Sequence, residues 1–175
     1  MCHFITAVLP SSAAHGELDA LARLHGRRFQ PMSNPSIEAQ IGPAERYFST
    51  TVAHCDCGTP LGALARGGAP DWEAQAQRLL KKGWSGAKVT RSLAQKKADF
   101  DASAAPETDT RAWLDFIRAV LDSGMTSHLG VLLHMYSGSL DAPIELAGRE
   151  TVRANALTVE LLGRVREDVL YVFQR

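Results

Sequence analysis

Residues 129–136 (LGVLLHMY) constrain the fold of this chain more than any other stretch of its sequence. Apolar side chains occur at both alternating sets of positions, so a strand formed here would present an apolar surface on each of its faces. Such a strand is stable only where neighbouring strands flank it and other elements cover the sheet above and below. The sequence therefore predicts a sheet with this strand at its centre.

Strand and helix signals alternate along the rest of the chain. Strand-forming residues predict strands at 2–9, 45–53 and 169–173, with a short neighbouring strand at 144–146. Capping residues and helical spacing predict helices at about 11–26, 71–82, 86–97, 108–123 and 158–165. Two further segments are predicted to be connections between these elements. They are residues 27–43, with at most one helical turn, and the small-residue stretch 102–110.

This order of elements predicts an α+β fold. The expected architecture is a four- to five-stranded, mostly antiparallel sheet with helices packed on one face and a helical insertion at about residues 70–124. At 175 residues, the chain is long enough to bury a substantial core and short enough to form a single domain spanning residues 1–175.

Composition argues against several classes of protein. The formal net charge is zero, so no overall attraction draws the chain toward nucleic acid or an anionic membrane. No apolar run approaches the roughly 20 residues that a bilayer-spanning helix needs, and the first residues lack the order of a signal peptide. Three cysteines cannot all pair within one chain, and nothing in the sequence points to export. We therefore expect a cytoplasmic protein whose thiols are free or bound to metal.

Two of the cysteines lie in a cluster that reads His54-Cys55-Asp56-Cys57, and the third is Cys2. Zinc takes four ligands, and Cys2, His54, Cys55 and Cys57 would supply three thiolates and an imidazole. We predict that strands 2–9 and 45–53 are neighbours, which brings Cys2 toward Cys55 or Cys57. Against zinc, one residue separates Cys55 from Cys57, whereas paired ligands are usually separated by two to four.

Three other interpretations of the cysteines stay open. Cys55 and Cys57 could form a strained, redox-active disulfide. Cys55 could act as a thiolate nucleophile beside an imidazole, for which the candidates are His3, His128 and His134. The cluster could also be a buried structural turn in which Asp56 accepts hydrogen bonds from backbone amides of the turn, and the residue types favour this last interpretation.

The other unusual segment is basic, because residues 78–97 contain seven Lys or Arg and no Asp or Glu. Such a segment can attract an acidic protein partner, although it more often forms the solvated face of a helix. Nucleic acid binding is disfavoured, since no second turn and recognition helix follow. The candidate partner-binding residues are Arg78, Lys81, Lys82, Lys88 and Arg91.

Two functional classes follow from these observations. The sequence favours a small cytoplasmic protein-interaction module without a cofactor, such as a stoichiometric inhibitor or a toxin-neutralising protein, because its residues assemble no complete catalytic constellation. The alternative is a metal-dependent or thiol enzyme, with zinc as the candidate metal and the site at residues 54–57 and Cys2.

Overall fold

The computed structural model describes residues 2–57, 61, 72–103, 107–136 and 138–175. Within them, six strands form one sheet in the order β2-β3-β1-β4-β6-β5. The strands are β1 (Cys2–Pro10), β2 (Gln30–Pro31), β3 (Glu45–Ser49), β4 (His128–Tyr136), β5 (Gly148–Arg153) and β6 (Val169–Gln174). The helices are α1 (His15–Leu24), α2 (Pro35–Glu38), α3 (Trp72–Lys81), α4 (Gly86–Ser103), α5 (Glu107–Asp122) and α6 (Val159–Leu162).

Strand β4 lies in the interior of the sheet, as its apolar residues predict. It pairs antiparallel with β1, from Cys2 opposite Tyr136 to Val8 opposite Gly130, and with β6 on its other side. β1 pairs in turn with β3, which confirms that the first two predicted strands are neighbours. The chain that leaves β3 at Ser49 therefore continues alongside the first residues of β1.

The prediction of a four- to five-stranded, mostly antiparallel sheet is wrong in two respects. The sheet has six strands in the described part of the chain, because β2 forms in the proline-containing connection and β5 lies on the opposite edge. It is also mixed, since β5 runs parallel to β6. The predicted strand at 144–146 does not form, and Ile144 is instead buried against the sheet. β5 reads GRETVR and is mostly exposed, so no apolar run marks it in the sequence.

Both faces of the sheet are covered, although the sequence predicts helices on only one. α1 and α5 pack on the helical face, where they meet one alternating set of side chains from β1, β4 and β6. The other set forms the second face, which α2 and the segment before β5 cover with Ile37 and Ile144. Because directly paired residues share a face, Cys2 of β1 projects to the second face together with Tyr136 of β4.

The helices between β3 and β4 follow the predicted insertion with changed boundaries. α3 and α4 contact each other as a hairpin, and α4 extends to Ser103, into the segment predicted as a linker. α5 packs Trp113, Phe116 and Ile117 into the core, as their helical spacing predicts. The predicted first residue of α3, at position 71, lies outside the described residues. No described helix combines the length and apolar character that crossing a membrane requires.

Candidate metal centre

The chain leaving β3 runs along β1 without forming a strand, so the predicted strand 45–53 ends at Ser49. Thr50 donates from its backbone N and from Oγ1 to the carbonyl oxygen of Ile5, at 3.3 and 2.6 Å. Asp56 N donates to the carbonyl oxygen of His3 at 2.8 Å. Residues 50–57, the cysteine loop, therefore occupy the place of a neighbouring strand and bring two cysteines beside the third.

Asp56 fixes the cysteine loop through its side chain, which is 2% exposed. Its Oδ2 accepts hydrogen bonds from the backbone N of Ile5 at 2.8 Å and from Thr51 Oγ1. Its Oδ1 accepts from Nη1 of Arg27 at 3.1 Å, and the Arg27 guanidinium lies 4.0 Å from the centre of the Trp113 ring. The carboxylate thus takes the place of a strand carbonyl, and the backbone amide that donates to it belongs to β1, whereas the sequence predicts donors within the turn itself.

The three cysteine sulfurs converge at the end of this loop. The Sγ atoms of Cys2, Cys55 and Cys57 all lie within 4.8 Å of one another, and the three residues are partly buried. Four-coordinate zinc, with bonds of about 2.3 Å, holds its sulfurs about 3.8 Å apart, so a small contraction of this group would suit the metal. The backbone N of His3 donates to Cys57 Sγ at 3.1 Å, a contact that fixes the position of that sulfur beside β1.

The predicted fourth ligand, His54, lies apart from the sulfurs. Its side chain is exposed, and the metal-ligating group that the described residues form here consists of the three cysteines. Of residues 58–60 and 62–71, which lie outside the described part of the chain, Asp71 is the one His, Cys, Asp or Glu. A metal held by the three sulfurs alone, the ligands that the described residues provide, would retain an open coordination position, which is typical of catalytic rather than structural zinc sites.

Two histidine–carboxylate pairs flank this end of β1, one on each face of the sheet. His3 projects to the helical face, and its Nε2 lies 2.6 Å from Oε1 of Glu167. His134 projects to the second face, and its Nδ1 lies 2.5 Å from Oδ1 of Asp168. Both carboxylates belong to the residues that lead into β6, the neighbour of β4. The end of the sheet that carries the sulfurs thus also carries two imidazoles with fixed orientations.

The sequence singles out these two histidines but not the acids that hold them. Glu167 is 164 residues from His3, and no spacing rule relates them, because only the register of the strands brings them together. The third candidate, His128, contacts Glu45 Oε1 at 3.0 Å at the opposite end of β4 from Tyr136, so it lies away from the cysteines. The one feature of the sequence that marks these acids is their position, because Glu167 and Asp168 are consecutive and directly precede the apolar strand β6.

Aromatic side chains border His134 on the second face. Its ring centre lies 4.6 Å from that of Tyr136, and Tyr136 lies 5.5 Å from Phe4, in both cases edge to face. The hydroxyl oxygens of Tyr136 and Tyr47 are 3.3 Å apart. Burial raises the pKa of both tyrosines, so each hydroxyl stays neutral and can donate a hydrogen bond at neutral pH.

The residues of the predicted basic patch lie on α3, on α4 and in the turn between them. Every candidate is exposed: Arg78, Lys81, Lys82, Lys88 and Arg91. Lys88 Nζ lies 4.2 Å from the centre of the Trp84 ring. Contacts of this kind bury the lysine stem against an aromatic ring and leave the charge at the surface.

Comparisons of this chain with protein-family models, with curated proteins and with solved structures found no match. The geometry of the three sulfurs and the adjoining histidines is therefore the basis for inferring what the protein does.

Proposed function

We propose that this protein binds zinc through Cys2, Cys55 and Cys57 and acts as a metal-dependent enzyme at the open coordination position. The observation that supports the proposal is the convergence of the three sulfurs within 4.8 Å of one another. Thiolates favour zinc and other soft cations, whereas carboxylate and carbonyl oxygens suit magnesium and calcium. A reducing compartment such as the cytoplasm keeps thiols available for such a site.

Exposure of the cysteines favours a metal over a purely structural turn. A cysteine that serves only to fill space is normally among the most buried residues of a protein, yet all three here are partly exposed. Asp56 between two of them is buried and hydrogen-bonded, so the loop is rigid where its sulfurs meet solvent. A rigid, accessible group of sulfurs favours metal binding, because the loop loses little conformational entropy when the metal binds.

A disulfide between Cys55 and Cys57 suits the loop less well. It would close a small ring over Asp56, whose backbone N and carboxylate are both engaged by β1. Closing that ring would disturb these bonds and strain the disulfide. It would also leave the third sulfur, that of Cys2, with no role.

Metal analysis tests the proposal directly. Protein purified without a histidine tag should contain about one zinc ion per chain. Cys2→Ser, Cys55→Ser and Cys57→Ser should each reduce the zinc content to near zero, because each removes one thiolate from a set of three. EDTA should lower the melting temperature of the wild-type protein and leave that of the three variants unchanged. Elemental analysis and thermal unfolding provide the two measurements.

His54→Ala is the matched control for these variants. It removes a candidate ligand from the same loop, but one whose side chain is exposed and outside the sulfur group. Its zinc content should equal that of the wild type. Wild-type protein that takes up no zinc at micromolar concentration would contradict the proposal, as would full zinc content in Cys57→Ser.

The hairpin of α3 and α4 favours a second candidate function, a protein-interaction module for an acidic partner. Residues 78–97 carry seven basic side chains, all exposed, and no acid. A one-signed surface of this kind accelerates association with a partner of opposite charge. The hairpin and the cysteine loop are separate segments of the chain, so the two functions are compatible.

A further inference from the structure

We propose that His134 and Asp168 form the proton-transfer pair of a hydrolytic site, in which His134 Nε2 takes a proton from a water held at the open position of the metal. The inference rests on the proposed function and deepens it by naming the reaction class. A water activated beside a metal, with a histidine as base, is suited to attack the carbonyl carbon of an ester or amide.

The strand register places His134 next to Cys2. Cys2 lies directly opposite Tyr136, and His134 precedes Tyr136 by two residues, so both project to the second face. Diagonal neighbours of this kind in an antiparallel pair have Cα atoms about 7–8 Å apart, within reach of a histidine ring. The ring also lies against Tyr136, with 4.6 Å between centres. Cys2 and His134 therefore lie at neighbouring positions on the same face of the sheet.

Asp168 holds His134 through an unusual backbone conformation. Its φ is 60°, in the left-handed region that residues other than glycine rarely adopt. Two hydrogen bonds fix it there, because Asp168 N donates to the carbonyl oxygen of Leu133 at 2.9 Å and Ala147 N donates to that of Asp168 at 2.7 Å. Asp and Asn adopt this conformation more readily than other residues with a side chain, so it orients the carboxylate at little cost. Here the result is a carboxylate placed 2.5 Å from His134 Nδ1.

The contact with Asp168 assigns different roles to the two ring nitrogens of His134. An ionised carboxylate can only accept a hydrogen bond, so Nδ1 is the donor in this contact, and in the neutral ring the lone pair then lies on Nε2. Nε2 has no hydrogen-bond partner among the described residues, and 17% of the side chain is exposed to solvent. A carboxylate behind the ring also stabilises the imidazolium that forms when Nε2 takes a proton.

The other two histidine–carboxylate pairs fit this role less well. His3 projects to the helical face, where it is buried, and its Nε2 is already engaged by Glu167. His128 lies at the opposite end of β4 from the residue that faces Cys2. His134 therefore combines the required face, the required end of the strand and an available nitrogen.

The proposed reaction balances without an oxidant or a second cofactor. His134 Nε2 removes a proton from the water while the water oxygen forms a bond to the carbonyl carbon of the substrate. The imidazolium, held by Asp168, then gives this proton to the leaving oxygen or nitrogen as the bond from the carbonyl carbon to that atom breaks. The products are a carboxylic acid and an alcohol or amine, and His134 is again neutral.

Acetohydroxamate is a suitable probe, because it gives up a proton when its oxygens bind a metal. Calorimetric titration of the zinc-loaded protein at about pH 8, in buffers of different ionisation enthalpy, counts the protons released to solvent. In the wild type His134 should retain the proton, so release should be close to zero. His134→Asn should release about one proton per probe and bind the probe about tenfold more weakly, since a charge-assisted hydrogen bond is lost.

Asp168→Asn and His128→Asn complete the experiment. Asn tolerates the left-handed backbone of position 168 but does not stabilise an imidazolium, so this variant should also bind the probe about tenfold more weakly. His128→Asn removes a histidine with its own carboxylate partner from the same strand, and it should behave as the wild type. All variants should retain the zinc content of the wild type.

Three results with the wild type and His134→Asn would overturn the inference while leaving the metal site in place. They are release of a full proton by the wild type, equal probe affinity in the wild type and His134→Asn, and zinc-loaded wild type that does not bind the probe. An equal loss of probe affinity in His128→Asn would also overturn the inference, since the loss would then not be specific to His134. The zinc content of each protein is measured separately. Wild-type protein without bound zinc would contradict the proposed function itself.

Discussion

Asp56 connects the proposed metal site to the core of the molecule. Its carboxylate accepts hydrogen bonds from Ile5 N and Thr51 Oγ1 and pairs with Arg27, which covers Trp113 of α5. One buried acid therefore fixes the cysteine loop against both β1 and a core helix. Replacing Asp56 leaves the buried backbone N of Ile5 without its acceptor and the mostly buried guanidinium of Arg27 without its carboxylate. Both changes lower the stability of the fold.

We expect Asp56→Asn to lower the free energy of unfolding by about 2 kcal/mol and Asp56→Ala to lower it by about 3 kcal/mol. Zinc affinity should fall about tenfold in Asp56→Asn, because the loop that presents two ligands is less firmly held. Urea unfolding and competitive zinc titration measure the two effects. Asp141→Asn changes an exposed acid and should alter neither quantity. A loss of stability below about 0.5 kcal/mol in Asp56→Ala would show that this carboxylate does not anchor the loop.

Individual residues of the site differ in how far sequence could predict them. The approach of Cys2 to Cys55 and Cys57 follows from two adjacent strand-like segments, and the structure confirms it. The pairing of His134 with Asp168 does not follow, because it depends on the exact register of β4 against β6 and on a rare backbone conformation. Local patterns indicate which segments form strands, but register is set by packing across the whole sheet.

At the scale of elements, apolar patterns predict the strands and helices that build the core and miss those held by tertiary contacts. β4 carries a continuous apolar run and α5 an apolar stripe at helical spacing, and both form where expected. β5 has few apolar residues and forms because it pairs with the side of β6 that faces away from β4. The cysteine loop has the β-branched residues of a strand, but Thr50 and Thr51 bond to Ile5 and Asp56 through their side chains instead of extending a ladder.

The α3–α4 hairpin is the element on which the interaction proposal depends. Lys81→Glu combined with Lys88→Glu should weaken binding of poly-glutamate at low salt by about tenfold, since like charges then face the acidic probe. The melting temperature should be unchanged, because both side chains are exposed. Fluorescence anisotropy of labelled poly-glutamate measures the binding.

The control for the hairpin variant makes the same change of charge elsewhere. Arg153→Glu combined with Arg164→Glu alters two exposed residues outside the hairpin. This variant should bind the probe nearly as well as the wild type. Equal weakening in both double variants would mean that net charge alone controls binding, and unaltered binding in the hairpin variant would rule out a docking role for α3 and α4.

At the scale of the whole molecule, Glu45 joins distant strands across the sheet. Its carboxylate accepts two hydrogen bonds from Arg149 of β5, at 2.6 and 3.0 Å, and also contacts His128 of β4. A further bond comes from the backbone N of Gly42 at 2.6 Å. The hydrogen bonds from Arg149, followed by that from Gly42, lower the pKa of Glu45 from 4.5 to about 2.

This lowered pKa predicts a specific dependence of stability on pH. The folded protein binds the proton of Glu45 more weakly than the unfolded chain does, so the ionised carboxylate stabilises the fold above pH 4.5, and the contribution is lost as the pH falls toward about 2. We expect the loss to be about 2 kcal/mol, allowing for the partial exposure of Arg149. Urea unfolding between these pH values measures it. Glu45→Gln should be less stable at neutral pH and lack this part of the acid dependence; an unchanged pH profile would refute the assignment.

A sheet edge with unpaired N–H and C=O groups can recruit a strand from another molecule, which is a common route to aggregation. Along the first residues of β1, the acceptors that meet the backbone amides are the sulfur of Cys57 and the carboxylate of Asp56 rather than a regular row of peptide carbonyls. A foreign strand cannot extend the ladder there without first displacing the cysteine loop. The loop that gathers the sulfurs therefore also closes this part of β1 to a strand from another molecule.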